Sequence, residues 1–324
     1  MDRRAFIGTV ASVMVVPTLI ARAQTAPASR RIGFLGPGAP PSRAELDRIY
    51  APLEKLGWVE GRNLHFERRY AGGKAELLGP LAEELVRLKV DLIVTGGTDA
   101  TVAAKNATES IPIIFRSAGD PIRAGLVASL AHPGGNVTGY AIVGPELDAK
   151  RLALLRELLP SVQRVVYLEN SKNPYYRAAR KDLEQAYRTL AIQPIFVEVA
   201  AASELEKAVE KSAAHGQALL VPEDALFYDN RGAILSIALK YSLPIMVERR
   251  IVRELGALVS YQDTQGEQDR RSAAFIDKVL RGAKPADLPV EQPTVFELII
   301  NLNTARALRL TISQSLLMRA EVVQ

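Results

Sequence analysis

Short apolar segments alternate with helical segments along the chain, and this alternation constrains the fold more than any other feature. The strands predicted in the first series are residues 31–35, 64–70, 91–95 and 112–117, with helices at 42–56, at 75–88 and from Thr98. Short apolar strands that alternate with helices form parallel sheets covered on both faces. The pattern therefore predicts an α/β architecture.

The alternation restarts after residue 163. The strands predicted in the second series are residues 164–170, 193–199, 218–224 and 243–249, with helices at 173–190, at 203–215 and from about Asn230. Ser203 with Glu206 three residues later predicts a capping box at the start of one helix. Two α/β units of this size predict two lobes with a cleft between them.

Three turn-rich segments interrupt this regular pattern. They are residues 132–146, 256–267 and 282–293, which are rich in glycine, proline and short polar side chains. We expect the chain to cross between the lobes at these segments and to bend there, because hinges are commonly a few residues in loops or at element ends. The alternative is that they are ordinary surface loops.

The first residues of the chain have the three parts of an export signal. Two arginines at positions 3 and 4 precede an apolar stretch from Ala5 to about Ile20, and Ala21-Arg22-Ala23 has the pattern of a cleavage site. Pro17 and the short apolar length disfavour a transmembrane anchor. We expect a signal peptide over residues 1–23 and an exported, soluble, periplasmic protein. The order Arg-Arg-x-Phe-Ile also resembles a twin-arginine signal, which leaves the export route open.

Composition excludes several kinds of site. The chain has no cysteine, which excludes disulfides, thiolate metal sites, a cysteine nucleophile and a lipid anchor on cysteine. The formal net charge is +5 over 324 residues, and part of it lies in Arg3, Arg4 and Arg22. A surplus this small does not indicate a nucleic-acid partner. We expect no metal and no cofactor.

Motifs for nucleotide binding and catalysis are missing from the sequence. The glycines at 33, 36 and 38 do not have dinucleotide-binding spacing, and the turn at 95–99 lacks the P-loop lysine. No nucleophile elbow or zinc-protease motif occurs, and the histidines at 65, 132 and 215 are scattered. Asp120, Glu223 and Asp224 follow strands, but their spacing does not identify an acid–base pair. We predict that the protein is not an enzyme.

The ends of the predicted strands carry groups that suit ligand binding. Their loops are Gly36–Pro40, Thr95–Ala100, Arg116–Pro121, Glu169–Tyr176 and Pro222–Asp229. Open sheets bind ligands at these carboxyl ends. The Gly96–Thr98 turn precedes a helix whose first N–H groups favour a ligand carboxylate, and Thr98 could equally be the N-cap. Tyr175, Tyr176 and Tyr228 are candidates for stacking on an aromatic ligand or for packing.

Several long stretches resemble a known family. They are RIGFLGPGAP, LEKLGWVEGRNLHFERRYAGG, LAEELVRLKVDLIVTGGTDATVAAKNATESIPIIF, GDPIRAGLVASLAHPGGNVTGYA, KRLALLRELLPSVQRVVYL and the segment from Gly282 to Val323. These stretches are similar to ABC-transporter substrate-binding proteins of the type 1 periplasmic-binding-protein superfamily. The branch they resemble includes tryptophan- and other aromatic-amino-acid-binding proteins, and the resemblance extends from Arg31 to the C-terminus.

The resemblance implies two Rossmann-like, doubly wound parallel-sheet lobes, joined by three crossover segments, with the ligand cleft between them. On this sequence it places lobe one at residues 31–141 plus about 262–285, and lobe two at residues 142–261 plus about 286–324. It also implies that a monomeric protein closes on a small solute and presents it to a membrane permease with a partner ATPase. Preferential binding to the closed form would shift the open–closed population.

The resemblance also carries over ligand-binding positions. They are Gly38, Gly97, Thr98, Asp99, Ser117 and Asp120 in lobe one, and Asn170, Asn173 and Asp224 in lobe two. Gln262 stands where family members often have glycine, so the hinge or the cleft should differ here. The expected ligand is a small carboxylate-bearing solute, foremost an aromatic amino acid or aromatic acid.

Two other classes of protein remain open at this point. One is an envelope α/β enzyme that acts through Asp120 or Asp224. The other is a ligand-sensing regulator, since the same lobes occur in repressor effector domains. A regulator would carry a basic helix-turn-helix before Arg31, where this sequence has the expected export signal instead.

Overall fold

The computed structural model describes residues 29–142, 144–247 and 249–324. The expected signal peptide and its cleavage site lie outside these residues. Across the described part, strands and helices alternate in two series, as the apolar pattern predicts. None of the helices in these ranges combines the length and the apolar character needed to cross a bilayer.

The first series forms one parallel sheet. Its strands are β1 (Arg30–Gly36), β2 (Leu64–Tyr70), β3 (Leu92–Thr95), β4 (Ile113–Gly119) and β5 (Val137–Ile142), and its helices are α1 (Arg43–Lys55), α2 (Leu78–Arg87) and α3 (Gly97–Ala107). The strand order is β2-β1-β3-β4-β5. Successive strand residues enter opposite apolar clusters, such as Ile114 on one face and Phe115 on the other. Both faces are therefore buried, as the continuous apolar strands require.

The second series forms a larger sheet. Its elements up to the second crossover are α4 (Pro145–Leu158), β6 (Arg164–Asn170), α5 (Pro174–Thr189), β7 (Gln193–Val199), α6 (Ala202–His215), β8 (Ala218–Leu220), α7 (Ala225–Asp229), α8 (Arg231–Lys240), β9 (Ile245–Met246), α9 (Arg249–Leu255) and β10 (Val259–Asp263). The remaining elements of the chain are α10 (Gln265–Leu280), β11 (Phe296–Asn301), α11 (Leu302–Ala307), α12 (Gln314–Leu317) and β12 (Glu321–Val323). The strand order is β12-β11-β10-β9-β8-β6-β7. One pairing, between β10 and β11, is antiparallel.

The chain crosses between the two sheets three times, at the turn-rich segments. It crosses from β5 to α4, from β10 to α10, and again before β11. Although α10 follows a strand of the larger sheet, it packs against α1 and β4 of the smaller one. The Trp58 indole N–H donates a hydrogen bond to Asp277 of α10 at 2.8 Å, and Arg116 of β4 pairs with Asp269 at 2.6 Å. These contacts hold α10 on the first lobe.

One predicted helix start is wrong. No capping box forms at Ser203 and Glu206, because α6 begins at Ala202, with Ala201 as its N-cap and no side-chain cap. Alanine has the highest helix propensity, so the helix extends past Ser203 toward the N-terminus. The Glu204 carboxylate instead accepts a hydrogen bond from the N–H of Ala200 at 2.7 Å.

Candidate functional site

A cavity of about 260 Å³ lies between the two lobes at the carboxyl ends of their strands. Loops after β1, β3, β6 and β8 reach it, together with β4, the hinge strands β5 and β10, and α10. Its lining residues are Pro37, Gly96, Gly97, Thr98, Asp99, Ser117, Gly119, Ile142, Asn173, Tyr175, Glu223, Asp224, Ala225, Tyr228, Gln262 and Gln268. Its volume lies just below the range of about 300–1,000 Å³ that is common for ligand sites, which favours a small ligand.

The lining of the cavity is acidic. It includes three carboxyl side chains, Asp99, Glu223 and Asp224, and none of its residues is lysine, arginine or histidine. Protein of low dielectric constant borders the cleft on both sides, so electrostatic attraction and repulsion are stronger there than in bulk solvent. The site therefore favours a ligand that carries a positive charge or several hydrogen-bond donors.

Asp224 is the most firmly held of these carboxyls. One of its oxygens accepts hydrogen bonds from the Asn170 amide at 3.0 Å and from the Leu226 N–H at 2.9 Å, and the other accepts from the Asn173 amide at 2.8 Å. Its side chain is buried and caps α7. Burial raises the pKa of Asp224, while the two asparagine amides partly oppose that shift. The carboxyl is fixed in position on the lobe-two wall.

Asp99 lies on the opposite wall, in the first turn of α3. Burial and the nearby negative charge of Asp224 raise its pKa to about 7. One of its oxygens accepts a hydrogen bond from the N–H of Ala100 at 2.8 Å. Because the two carboxyls repel each other in the ligand-free cleft, a cation placed between them would stabilise the ionised form of both.

The turn before α3 presents backbone N–H groups to the same cavity. Gly97 has φ +82°, a conformation that glycine adopts without steric cost. The N-cap of α3 is Gly96 and no side chain caps the helix, so the alternative N-cap role of Thr98 is wrong. The Thr98 hydroxyl instead accepts a hydrogen bond from the N–H of Gly119 at 3.0 Å. The N–H groups of Gly96 and Ala100 already donate to Leu35 and Asp99, so those of Gly97 and Thr98 are the ones at this turn that can attract an anionic group.

The structure brings six of the carried-over binding residues to the cavity. They are Gly97, Thr98, Asp99, Ser117, Asn173 and Asp224. Asn170 does not line the cavity, but its amide holds Asp224.

Gly38 and Asp120 also lie outside the cavity lining. Gly38 is at the rim, where the next N–H, from Ala39, donates to Asp229 of the other lobe at 2.7 Å. Asp120 has φ +38° and pairs with Arg123 at 3.2 Å, so its carboxylate is part of a local turn.

The three candidate tyrosines have different environments. Tyr175 and Tyr228 line the cavity, whereas Tyr176 is buried and packs edge-on against Tyr167, Tyr175 and Phe227. The Tyr175 hydroxyl donates to Asp148 at 3.0 Å, and the Tyr228 hydroxyl donates to Glu45 of the other lobe at 3.0 Å. Two aromatic rings thus border the cleft.

Several lining residues were absent from the predicted set. Gln262 and Gln268 come from β10 and α10, on either side of the second crossover. The substitution of Gln262 for a common glycine was the one sequence signal that pointed there. Pro37 and Gly119 lie in loops predicted to bind a ligand but were not singled out, and Ile142 exposes apolar surface, for which spacing rules give no signal.

Comparison with known proteins identifies the family. The profile of a family described as ABC transporter substrate binding protein matches residues 40–324. The chain belongs to this family. Its members are extracytoplasmic solute-binding proteins rather than enzymes, and the two-lobe α/β structure is that of the type 1 periplasmic binding proteins.

Two relatives of this substrate-binding protein carry an aromatic amino acid in their descriptions. A curated "Tyrosine-binding protein" from Clostridioides difficile is 28% identical over 256 residues, which cover 79% of this chain and 74% of the relative. The crystal structure of an ABC domain in complex with L-Trp from Streptococcus pneumonia is 26% identical, with a TM-score of 0.83 over 92% of this chain and 100% of that one. A ligand-free, open substrate-binding protein from Clostridium difficile is 23% identical, with a TM-score of 0.63 over 91% and 99%.

Proposed function

We propose that this substrate-binding protein binds an aromatic amino acid in the cavity between its lobes and releases it chemically unchanged. The observation that carries the proposal is the acidic, two-walled cavity with Asp224 fixed at its lobe-two face. The relatives named for tyrosine and crystallised with L-Trp support the same ligand class.

Each part of an amino acid finds a matching group in the cavity. Asp224 and Asp99 suit the α-ammonium group, because a cation relieves their mutual repulsion. The first N–H groups of α3 suit the α-carboxylate. The rings of Tyr175 and Tyr228 suit an aromatic side chain, since offset and edge-on aromatic pairs add to the free energy of burial.

Aromatic acids without an ammonium group are the weaker candidates. Such a ligand would bring a further negative charge into a cavity that already has three carboxyls and, among its lining residues, no basic side chain. Like charges in a partly desolvated site cost free energy unless a partner compensates them. The acidic lining thus favours amino acids over aromatic acids that lack an ammonium group.

The arrangement of the lobes supports a closing mechanism. Over similar shares of the chain, the TM-score is 0.83 against the L-Trp complex and 0.63 against the ligand-free, open protein. Ala39, Tyr228 and Arg123 all make contacts across the cleft. A ligand that contacts both walls only in this arrangement would shift the population toward it.

The lobe boundaries, the cleavage site, the oligomeric state and the transport partner of this protein are proposals too. We assign residues 31–141 plus about 262–285 to lobe one and residues 142–261 plus about 286–324 to lobe two, supported by the two sheets and the packing of α10. Cleavage near Ala23, a monomeric state and delivery to a permease with its ATPase are supported by the sequence pattern and by membership of the family.

A thermal-shift screen over the amino acids and aromatic acids tests the proposal. Tryptophan and tyrosine should raise the melting temperature by mass action, whereas indole-3-acetate, which lacks the ammonium group, should not. Mass spectrometry after incubation should recover the amino acid unchanged. The proposal fails if no amino acid shifts melting, and conversion of the ligand would favour the envelope enzyme instead.

A further inference from the structure

The cavity has a polar end beside the hinge. Gln262 of β10 lies there with Ile142, the last residue of β5. The Gln262 side chain is buried, and its amide Nε2 donates a hydrogen bond to Oε2 of Glu223 at 3.0 Å. An amide from the second crossover thus fixes a carboxylate from the loop after β8.

Glu223 and Asp224 are neighbours in sequence but have different partners. Asp224 is held by two asparagines of its own lobe, whereas Glu223 is held by the hinge strand. Arg151 lies near enough to interact electrostatically with Glu223, but it pairs with Asp148 at 3.0 Å and donates to the Tyr261 carbonyl at 2.9 Å. Two adjacent carboxyls of the cavity are therefore held by different elements of the fold.

One oxygen of Glu223 remains available to a ligand. Oε2 is occupied by Gln262, while Oε1 accepts no hydrogen bond from any residue in the part of the chain that the structure describes. When a ligand fills the cavity and displaces water, an unpaired carboxylate oxygen loses its hydration without compensation. A ligand with a donor at that point restores the lost hydrogen bond.

We propose that Glu223, positioned by Gln262, selects aromatic amino acids whose side chain carries a hydrogen-bond donor. This inference rests on the proposed function, in which Asp224 and Asp99 hold the ammonium group that all amino acids share. A phenol O–H or an indole N–H satisfies Glu223, whereas the phenyl ring of phenylalanine does not. Tyrosine and tryptophan, the ligands named for the relatives, both carry such a donor.

The size of the selectivity follows from the chemistry of the contact. A hydrogen bond to a charged group contributes about 1.5–3 kcal/mol, which corresponds to about 10- to 150-fold in affinity. Sites built around a ligand hydroxyl also reject the analogue that lacks it, because a buried polar group is then left unpaired. We therefore expect tyrosine to bind at least about tenfold more tightly than phenylalanine.

Isothermal titration calorimetry with L-tyrosine and L-phenylalanine tests the assignment. In Glu223→Gln the ratio of the two affinities should fall at least about threefold, since a neutral acceptor binds a donor more weakly than a carboxylate does. Asp224→Asn is the matched control, a carboxyl-to-amide change one residue away. It should weaken both ligands by a similar factor and leave the ratio unchanged.

Gln262→Ala is a second test of the assignment, because it removes the hydrogen bond that positions Glu223 and leaves the Glu223 side chain in place. It too should lower the ratio, and thermal melting of each variant checks that the fold is intact. Equal binding of the two ligands by the wild-type protein, or an unchanged ratio in Glu223→Gln, overturns the inference alone. If neither these two ligands nor tryptophan binds the wild-type protein, the proposed function fails and the inference falls with it.

Discussion

The two facing carboxyls of the cleft make ligand binding sensitive to pH. The pKa of Asp99 is raised to about 7 by burial and by the charge of Asp224, so Asp99 is largely protonated below that pH when the lobes are in this arrangement and no ligand is bound. A bound ammonium group favours the ionised form and lowers this pKa. Binding therefore releases a proton below pH 7, and affinity should fall as the pH decreases, by at most about tenfold per unit.

Titrations with tryptophan between pH 5.5 and 8 measure this effect. The affinity should rise with pH and level off above pH 7, and calorimetry in buffers of different ionisation enthalpy should show proton release at pH 6. Asp99→Asn should flatten the profile because it removes the titrating group. An affinity that rises on acidification would contradict the assignment of Asp99 to the ammonium group.

Individual site residues could be predicted from the sequence only where a position after a strand is enough to place the side chain in the cavity. Asp224 follows a strand and reaches the cavity, and this could be read from the sequence. Asp120 also follows a strand, yet its φ of +38° and its pairing with Arg123 direct it away from the cavity. Gln268 enters from α10, so its presence depends on how the chain returns to the first lobe after β10. The spacing of residues in the sequence reveals neither the backbone conformation of a turn nor the return of the chain to a distant part of the fold.

At the scale of elements, several long amphipathic or apolar segments were predicted, whereas the long helices α4 and α10, which begin at the first two crossovers, were not. The strand at 64–70 matches the observed β2, and the helix expected at 75–88 is α2 with a short 3₁₀ turn before it. The short elements α7, α11, α12 and β12 were not predicted, because a few residues give too little periodicity. Tertiary contacts, rather than local propensity, stabilise such short elements.

Helix capping gives a direct test at this scale. Ser42 caps α1 in a complete capping box: its hydroxyl accepts from the N–H of Glu45, and the Glu45 carboxylate accepts from the N–H of Ser42 at 2.8 Å. Ser42→Ala should reduce the free energy of unfolding by about 1 kcal/mol. Ser203→Ala is the matched control, because Ser203 lies inside α6 and caps nothing. Urea denaturation of both variants distinguishes them, and equal losses would show that capping is not the cause.

At the scale of the whole molecule, direct contacts join the two lobes across the cleft. The Ala39 N–H donates to Asp229, the Tyr228 hydroxyl donates to Glu45, and Lys172 pairs with Glu76 at 3.6 Å. Each of these contacts joins the first sheet's side of the cleft to the second. Under the proposed closing mechanism, opening of the hinge would separate all three pairs. A change that obstructs one such contact should therefore act on closure while each lobe remains folded.

Replacement of Gly119 by alanine, which adds a single methyl group, tests the closing mechanism. A Cβ on this residue of lobe one would lie 2.5 Å from a ring carbon of Tyr175 in lobe two. Under the proposed closing mechanism the clash would arise only when the lobes close, and overpacking of this kind costs about 1–3 kcal/mol. Gly119→Ala should therefore weaken tryptophan binding by about 5- to 150-fold while the melting temperature of the ligand-free protein changes little.

The matched control is Gly135→Ala, because a Cβ there meets no atom within 4 Å. Small-angle scattering should show that ligand compacts the control but not Gly119→Ala, and full compaction with unchanged affinity would refute the closing mechanism.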